Sequence, residues 1–306
     1  MLNGKYQLDR IAEFFEFIYD RQEIWHRRNV LNLPAPWSTD EILRNYRFCN
    51  VYRELDGGTL ALTKYLTDES ISVGKKLFNI VAYRFFNRRD TIENLFGGLL
   101  DPENFDFEAF DAKRNQESLF SNAYLISSHS YNAAYRPKDK HVQVLLMLAD
   151  MAGKIKDFCR ELAETPAAGG LSVVEKHVAL AGPFLAGQIL LDATYAGNIV
   201  DYTANDFLIV GPGAHWGLNI IFGKRLSKRE AEEKCRYLYS IQARETERLK
   251  LRTGKDWHVV RWRNPAYCGG DYLALHDIQN SLCEFRKYKR LKDGEKAKKR
   301  YYAAAG

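Results

Sequence analysis

Apolar residues recur at helical spacing along most of the chain. Over residues 7–28, Leu8, Ile11, Phe14, Phe15, Ile18 and Ile24 fall near one face, which predicts an amphipathic helix. Residues 30–40 hold two prolines and read as a loop. Ser38-Thr39-Asp40-Glu41 then supplies a helix start, with Ser38 or Thr39 as cap and Glu41 in the first turn. A helix over 40–56 is expected, broken at Gly57-Gly58 and followed by another near 59–67. Residues 71–86 read as amphipathic helix, 101–110 as a loop leading into short helices, and 141–165 as one long buried helix closed by the linker PAAGG. Further helices are expected near 171–180, 183–196 and 203–209, on both sides of Gly211-Pro212-Gly213, and over 227–252 and 276–290. Strand-like alternation is scarce, with WHVVRW (257–262) the best short candidate. There is no internal repeat. The pattern predicts a mainly α fold, either one compact domain or two interleaved helical lobes. Its parts are an N-terminal helical segment (1–37), a main helical domain (38–290) and a basic tail (291–306).

Composition adds a core and a charge asymmetry. Of 306 residues, 46% are hydrophobic and 13% aromatic, ample for a packed interior. No apolar run is long enough to span a bilayer, and the N-terminus has no signal-peptide pattern, so no membrane association is expected. The cysteines at 49, 159, 235, 268 and 283 are scattered and make no CxxC pair, which argues against a zinc ribbon or a disulfide framework and suits a reduced cytoplasm. The net charge is +6, but residues 286–300 hold nine Lys/Arg against two Asp/Glu, a net of +7, leaving the remainder near −1. That run suits a solvated tail or a phosphate-binding extension. Further basic pairs at Arg27-Arg28, Arg88-Arg89 and Arg261/Arg263 lie among aromatics (Trp25, Phe85, Phe86, Trp257, Trp262), a mixture that suits a polyanion surface.

Several chemistries have no motif here. GxxxxGK[ST], HExxH and GxSxG are all missing, and the histidines show no metal-ligand spacing, so no cofactor or metal is expected. Four stretches carry more information. LIVGPGAHWGL (208–218) fits a helix-hairpin-helix turn. In that motif Gly211 and Gly213 allow close backbone approach, and the amides of Gly213, Ala214 and His215 hold a phosphate, with Trp216 and Lys224 nearby. The same residues also suit an ordinary corner between helices. LALHDIQNSLCEF (273–285) places Asp277 at a helix start, either as a cap or as a catalytic carboxylate. In GPFLAGQILLDATY (182–195), Gln188 and Asp192 share one face of an apolar helix, which suits either a pocket or a core network with a nearby arginine. Finally, ILRNYRFCNVYRELDGGT (42–59) spaces Arg44, Arg47, Asn50, Arg53 and Asp56 by three. As a helical stripe these are either base- and phosphate-reading groups or an exposed salt-bridged face.

Together, RNYRFCNVYRELDGGT, GPFLAGQILLDATY, VGPGAHWG and HDIQNSLCEFRKYKR resemble the signature blocks of the alpha-glutamyl/putrescinyl thymine pyrophosphorylase family, akin to the helical domain of hydroxymethyluracil-DNA kinases. The resemblance implies a helix-hairpin-helix, DNA-glycosylase-like helical fold with insertions (224–272 among them), acting on double-stranded DNA that contains modified pyrimidines, without an obligate protein partner. Its favoured implication is a monofunctional DNA glycosylase that excises a bulky hypermodified pyrimidine from phage DNA. Asp277 would be the catalytic carboxylate by first choice and Asp192 by second, with Arg47, Asn50, Arg53, Asp56 and Gln188 lining the base pocket. Its alternatives are an amino-acid or amine transferase acting on an activated hydroxymethyl pyrimidine, and a non-catalytic DNA-binding module.

Overall fold

The computed structural model describes residues 2–88, 90, 91, 93, 97–113, 119, 120, 139–256 and 272–295, with side chains from residue 7 onward. The candidate strand 257–262, Arg89, Arg261, Arg263, Cys268 and the tail beyond 295 lie outside them. Among the described residues the fold is helical and carries no strand, as the periodicity predicts. The chain divides into two compact units, one formed by residues 1–56 and 208–306, the other by 57–207.

The first unit contains α1 (Leu2–Asn29), α2 (Glu41–Asn45), a 3-10 turn (Arg53–Leu55), α10 (Pro212–Phe222), α11 (Lys228–Ser240), α12 (Gln242–Thr253) and α13 (Leu275–Lys292). Its core is aromatic and aliphatic. Phe14, Phe15 and Ile18 of α1, Leu218 and Ile221 of α10, and Leu282 and Phe285 of α13 are all out of contact with water. The Phe14 and Phe285 rings meet edge to face at 5.4 Å, a favoured aromatic geometry. The second unit contains α3 (Gly57–Leu66), α4 (Val73–Phe86), a 3-10 turn (Pro102–Asn104), α5 (Phe107–Asp111), α6 (Lys140–Ala152), α7 (Ile155–Glu164), α8 (Ala167–His177) and α9 (Pro183–Tyr195). Helix α4 is buried nearly all round and packs against α3, α6, α7 and α9, as a central helix must. Ser72 caps it by accepting from the Lys75 amide, and Asn87 ends it in the left-handed region at φ 50°.

Four expectations change. The helix expected over 40–56 ends at Asn45, because Tyr46 is extended and the backbone beyond it bonds to α13 instead. Its cap is Asp40, which accepts from the Ile42 and Leu43 amides at 2.8 and 2.9 Å, rather than Ser38 or Thr39. The long helix 141–165 is two, parted at Gly153-Lys154, and PAAGG starts α8 instead of acting as a linker. The span 227–252 likewise divides, at Ile241.

The fourth change concerns the hairpin. Residues 207–211 are not helical. Asp206 accepts from the amide and hydroxyl of Thr203, closing a turn where a helix was expected. Pro212 then forces the residue before it out of the helical region, and Gly211 sits at φ −66°, ψ 165°. Proline at the first helical position starts α10 at once. The upstream arm of a helix-hairpin-helix is therefore missing from these residues, and GPG is the capped start of a single helix.

Candidate functional site

Helix α13 presents two faces. Ile278, Leu282 and Phe285 point into the core of the first unit. Asp277, Asn280, Glu284 and Lys287, spaced by three and four, form a polar stripe that holds the chain leading out of α2. Asp277 Oδ1 accepts from the Arg53 amide at 3.0 Å, Asn280 donates to the Asn50 carbonyl at 3.1 Å, Glu284 accepts from the Cys49 amide at 3.1 Å, and Lys287 donates to the Arg47 carbonyl. Segment 47–53 thus runs antiparallel to α13, bonded through its backbone. Phe48, Val51 and Tyr52 are buried.

A connected polar centre results. The Arg53 guanidinium reaches both Asn280 (3.2 Å) and Asp56 (3.0 Å). Asp56 accepts from the Asn50 amide at 3.2 Å, and the Asn50 side chain donates to the Leu55 carbonyl at 2.6 Å. So Asn50, Arg53, Asp56 and Asp277, predicted as parts of a site, do come together, but as a loop folded onto α13 and not as a helical stripe. Arg47 lies on the exposed side of the same loop. Asp277 is buried, and its second oxygen accepts from the Ala274 amide at 2.9 Å, so it caps its own helix while pinning the loop.

Gln188 and Asp192 belong to the second unit, where both are buried. Asp192 takes Arg84 in a two-pronged ion pair, its two oxygens each 2.5 Å from a guanidinium nitrogen, with side-chain exposures of 0% and 3%. This is the core network with an arginine, not an open pocket. Such bidentate geometry is what keeps a buried charge tolerable.

The start of α10 has been reassigned by packing. A methyl group on Gly213 would lie 2.3 Å from Cys283 Sγ, and one on Gly217 would lie 2.3 Å from the Leu282 carbonyl oxygen. Both glycines therefore exist so that α10 can lie against α13. Ala214 is buried. The His215 amide already bonds to the Gly211 carbonyl at 3.0 Å, which removes it as a phosphate ligand. The His215 ring instead bonds to the Leu226 carbonyl at 2.8 Å, and Asn219 accepts from the Leu226 amide at 2.9 Å, tying down the turn after α10. Lys224 is paired with Glu230 at 2.7 Å. Hydrogen bonds from Lys224 and Ser227 hold the Glu230 carboxyl down at about 2.

Trp216 is different. It is 59% exposed on α10, and the guanidinium of Arg286 lies over its ring at 5.3 Å. Trp216 lines one hollow with His215, Asn219, Ile220 and Arg225. Arg286 lines another with Cys283, Glu284, Lys287 and Arg290. Burial, with Glu284 beside it, raises the Cys283 thiol, so it is not an activated nucleophile. Among the described residues no group of His, Cys, Asp and Glu is placed to hold a metal ion. Arg225, Arg286 and Asn280 were not singled out by sequence. The 277/280/284/287 spacing opposite the apolar stripe was the signal available for α13; Arg225, in a turn, gave none.

The family sequence model of the 5-hmdU DNA kinase helical domain matches residues 9–298. The chain belongs to that family. A 5-hmdU DNA kinase of Bacillus phage SP10 is 30% identical over 297 residues, covering 90% of this chain and 44% of the relative. The chain thus spans less than half the length of the curated relative it matches. No solved structure matches. Kinship with the helical domain of hydroxymethyluracil-DNA kinases is therefore as the signature blocks imply. The expected enzyme class is corrected. The named relative is a kinase, a transferase, and not a hydrolase of N-glycosyl bonds, so the monofunctional glycosylase is withdrawn. The geometry agrees, since both oxygens of Asp277 are bonded to backbone amides and Asp192 is closed off by Arg84.

Proposed function

We propose that this chain is the substrate-engaging helical module of a DNA-modifying transferase, and that it handles DNA carrying a 5-hydroxymethylated or further elaborated pyrimidine. The family match over residues 9–298 carries this reading. It is supported by the first unit's surface, where an exposed tryptophan and cations with no carboxylate partner among the described residues stand close together on α10 and α13. Phosphate contacts from such cations position a duplex, while sequence and modification are read at the bases. The loop 47–56 supplies groups suited to a base edge, Arg47 on its exposed side and Asn50, Arg53 and Asp56 held in register by α13.

Fluorescence anisotropy with short duplexes tests it. A duplex with one 5-hydroxymethyl-deoxyuridine should bind more tightly than the same duplex with thymine. One additional satisfied hydroxyl is worth about 0.5–1.5 kcal/mol net, or roughly 2- to 12-fold in affinity. Equal affinity for the two would sink recognition of the modification and leave a DNA-binding module without base choice.

A further inference from the structure

We infer that Trp216 and Arg286 form a stacking ridge for an unpaired base of a DNA strand, flanked by Arg225 and Lys287 as phosphate contacts. The inference rests on the DNA reading above and deepens it. Helix α10 buries Ala214, Gly217, Leu218 and Ile221. Trp216, on the same helix, is left 59% exposed, an uncommon state for a side chain that is usually well buried. A large ring kept in water beside a cation has the form of a stacking platform, because every base offers a π-face and the arginine adds attraction to base and phosphate alike.

The charge pattern fits the same place. Several nearby cations of the first unit are neutralised. Lys224 pairs with Glu230, Lys289 and Lys292 with Glu13, Arg290 with Glu295, and Lys255 with Glu16 and Asp20. Among the described residues, Arg225, Arg286 and Lys287 have no carboxylate partner. The Arg286 Nε is shielded from water and bonds to nothing. Glu284, the acid nearest them along α13, is engaged by the Cys49 amide. The ridge separates two hollows, one lined by Trp216 and Arg225, the other by Arg286 and Lys287. The bonds from His215 and Asn219 to Leu226 fix the turn that carries Arg225. A strand crossing the ridge would place a base on Trp216 and its phosphates over the cations to either side.

The test uses an unmodified thymine-rich single-stranded oligonucleotide and the full chain, titrated at several salt concentrations. Trp216→Ala should weaken binding roughly 5- to 160-fold, the range for losing one stacked base, while Trp216→Phe restores most of it. Arg225→Gln and Lys287→Gln should each lower the salt slope by about 0.7, the single-strand increment per phosphate contact. Circular dichroism establishes that the variants are folded. Wild-type affinity in Trp216→Ala, or failure of the wild type to bind the oligonucleotide, overturns the proposal. So does a dimer in sedimentation that Trp216→Ala converts to monomer with DNA affinity unchanged, since the ridge would then belong to a second copy. Because this oligonucleotide carries no modified base, the outcome is separate from the duplex comparison above: either reading can fail while the other stands.

Discussion

Asp277 satisfies two backbone amides at once, Ala274 within its own helix and Arg53 across the loop. An isosteric amide cannot do this, because Asn offers one acceptor oxygen and turns an NH2 toward the second donor. Asp277→Asn is therefore expected to destabilise the protein by about 1–3 kcal/mol, the cost of leaving a buried polar group unsatisfied. Urea unfolding measures it; an unchanged midpoint would mean that the pinning contributes nothing. In the sequence, Asp277 was legible as a cap but not as a clamp on Arg53, since the pairing spans 224 positions and no local pattern encodes it. Asp192 was legible as a buried acid in need of a partner, and Arg84 is that partner. Arg286 was read only as part of a basic run; its place over Trp216 follows from the α10–α13 crossing, which sequence does not show.

Among the elements, the contact of α10 with α13 is the tightest fit, and it gives opposite weights to two glycines. On Gly217 a methyl meets the Leu282 backbone, which cannot move without shifting the helix. On Gly213 it meets a cysteine sulfur at the end of a short side chain. Gly217→Ala should cost about 1–3 kcal/mol, as overpacking does, and Gly213→Ala less. Adding Cys283→Ala should recover part of the Gly213→Ala loss but none of the Gly217→Ala loss, which a double-mutant cycle in urea will read. Equal costs, or recovery in both backgrounds, would refute this packing account. Helices with long periodic faces, such as α1, α4 and α9, were legible at nearly their full extent. The segment 46–56 was not, although its polar spacing of three suggested helix. Side chains on α13 supply its backbone with partners, and this tertiary bonding outweighs the local preference. GPG misled for a related reason: glycines that serve helix contact look the same in sequence as glycines that serve a phosphate.

For the whole molecule, the first unit is held by carboxylates of α1 paired with lysines and arginines from the far end of the chain. Burial pushes Glu13 up, but hydrogen bonds from Lys289 and Lys292 outweigh it, and Glu16 is likewise brought below its ordinary value by Lys255 and Arg252 despite burial. A carboxyl lowered on folding stabilises above its unfolded pKa of 4.5, and that contribution disappears as pH falls through the lower folded value. Asp20, raised chiefly by burial, acts in the opposite direction. The Glu13→Gln/Glu16→Gln variant should thus be less stable than wild type at pH 7, with the gap closing as pH drops below 4.5, measured by urea midpoints across that range. A gap that persists at pH 3 would show that charge pairing is not its source. The order of the chain has a further consequence, during synthesis. The second unit is one unbroken stretch, 57–207, and has all its residues once the ribosome passes that point. Helix α1 is made before that stretch, yet Phe14 must wait for Phe285. Its apolar stripe stays without its native cover while the whole of 57–207 and more is synthesised, exposed to chaperones and to neighbouring chains. Order along the chain and order of completion are then inverted: the later-made 57–207 has its native partners to hand before the earlier-made α1 does.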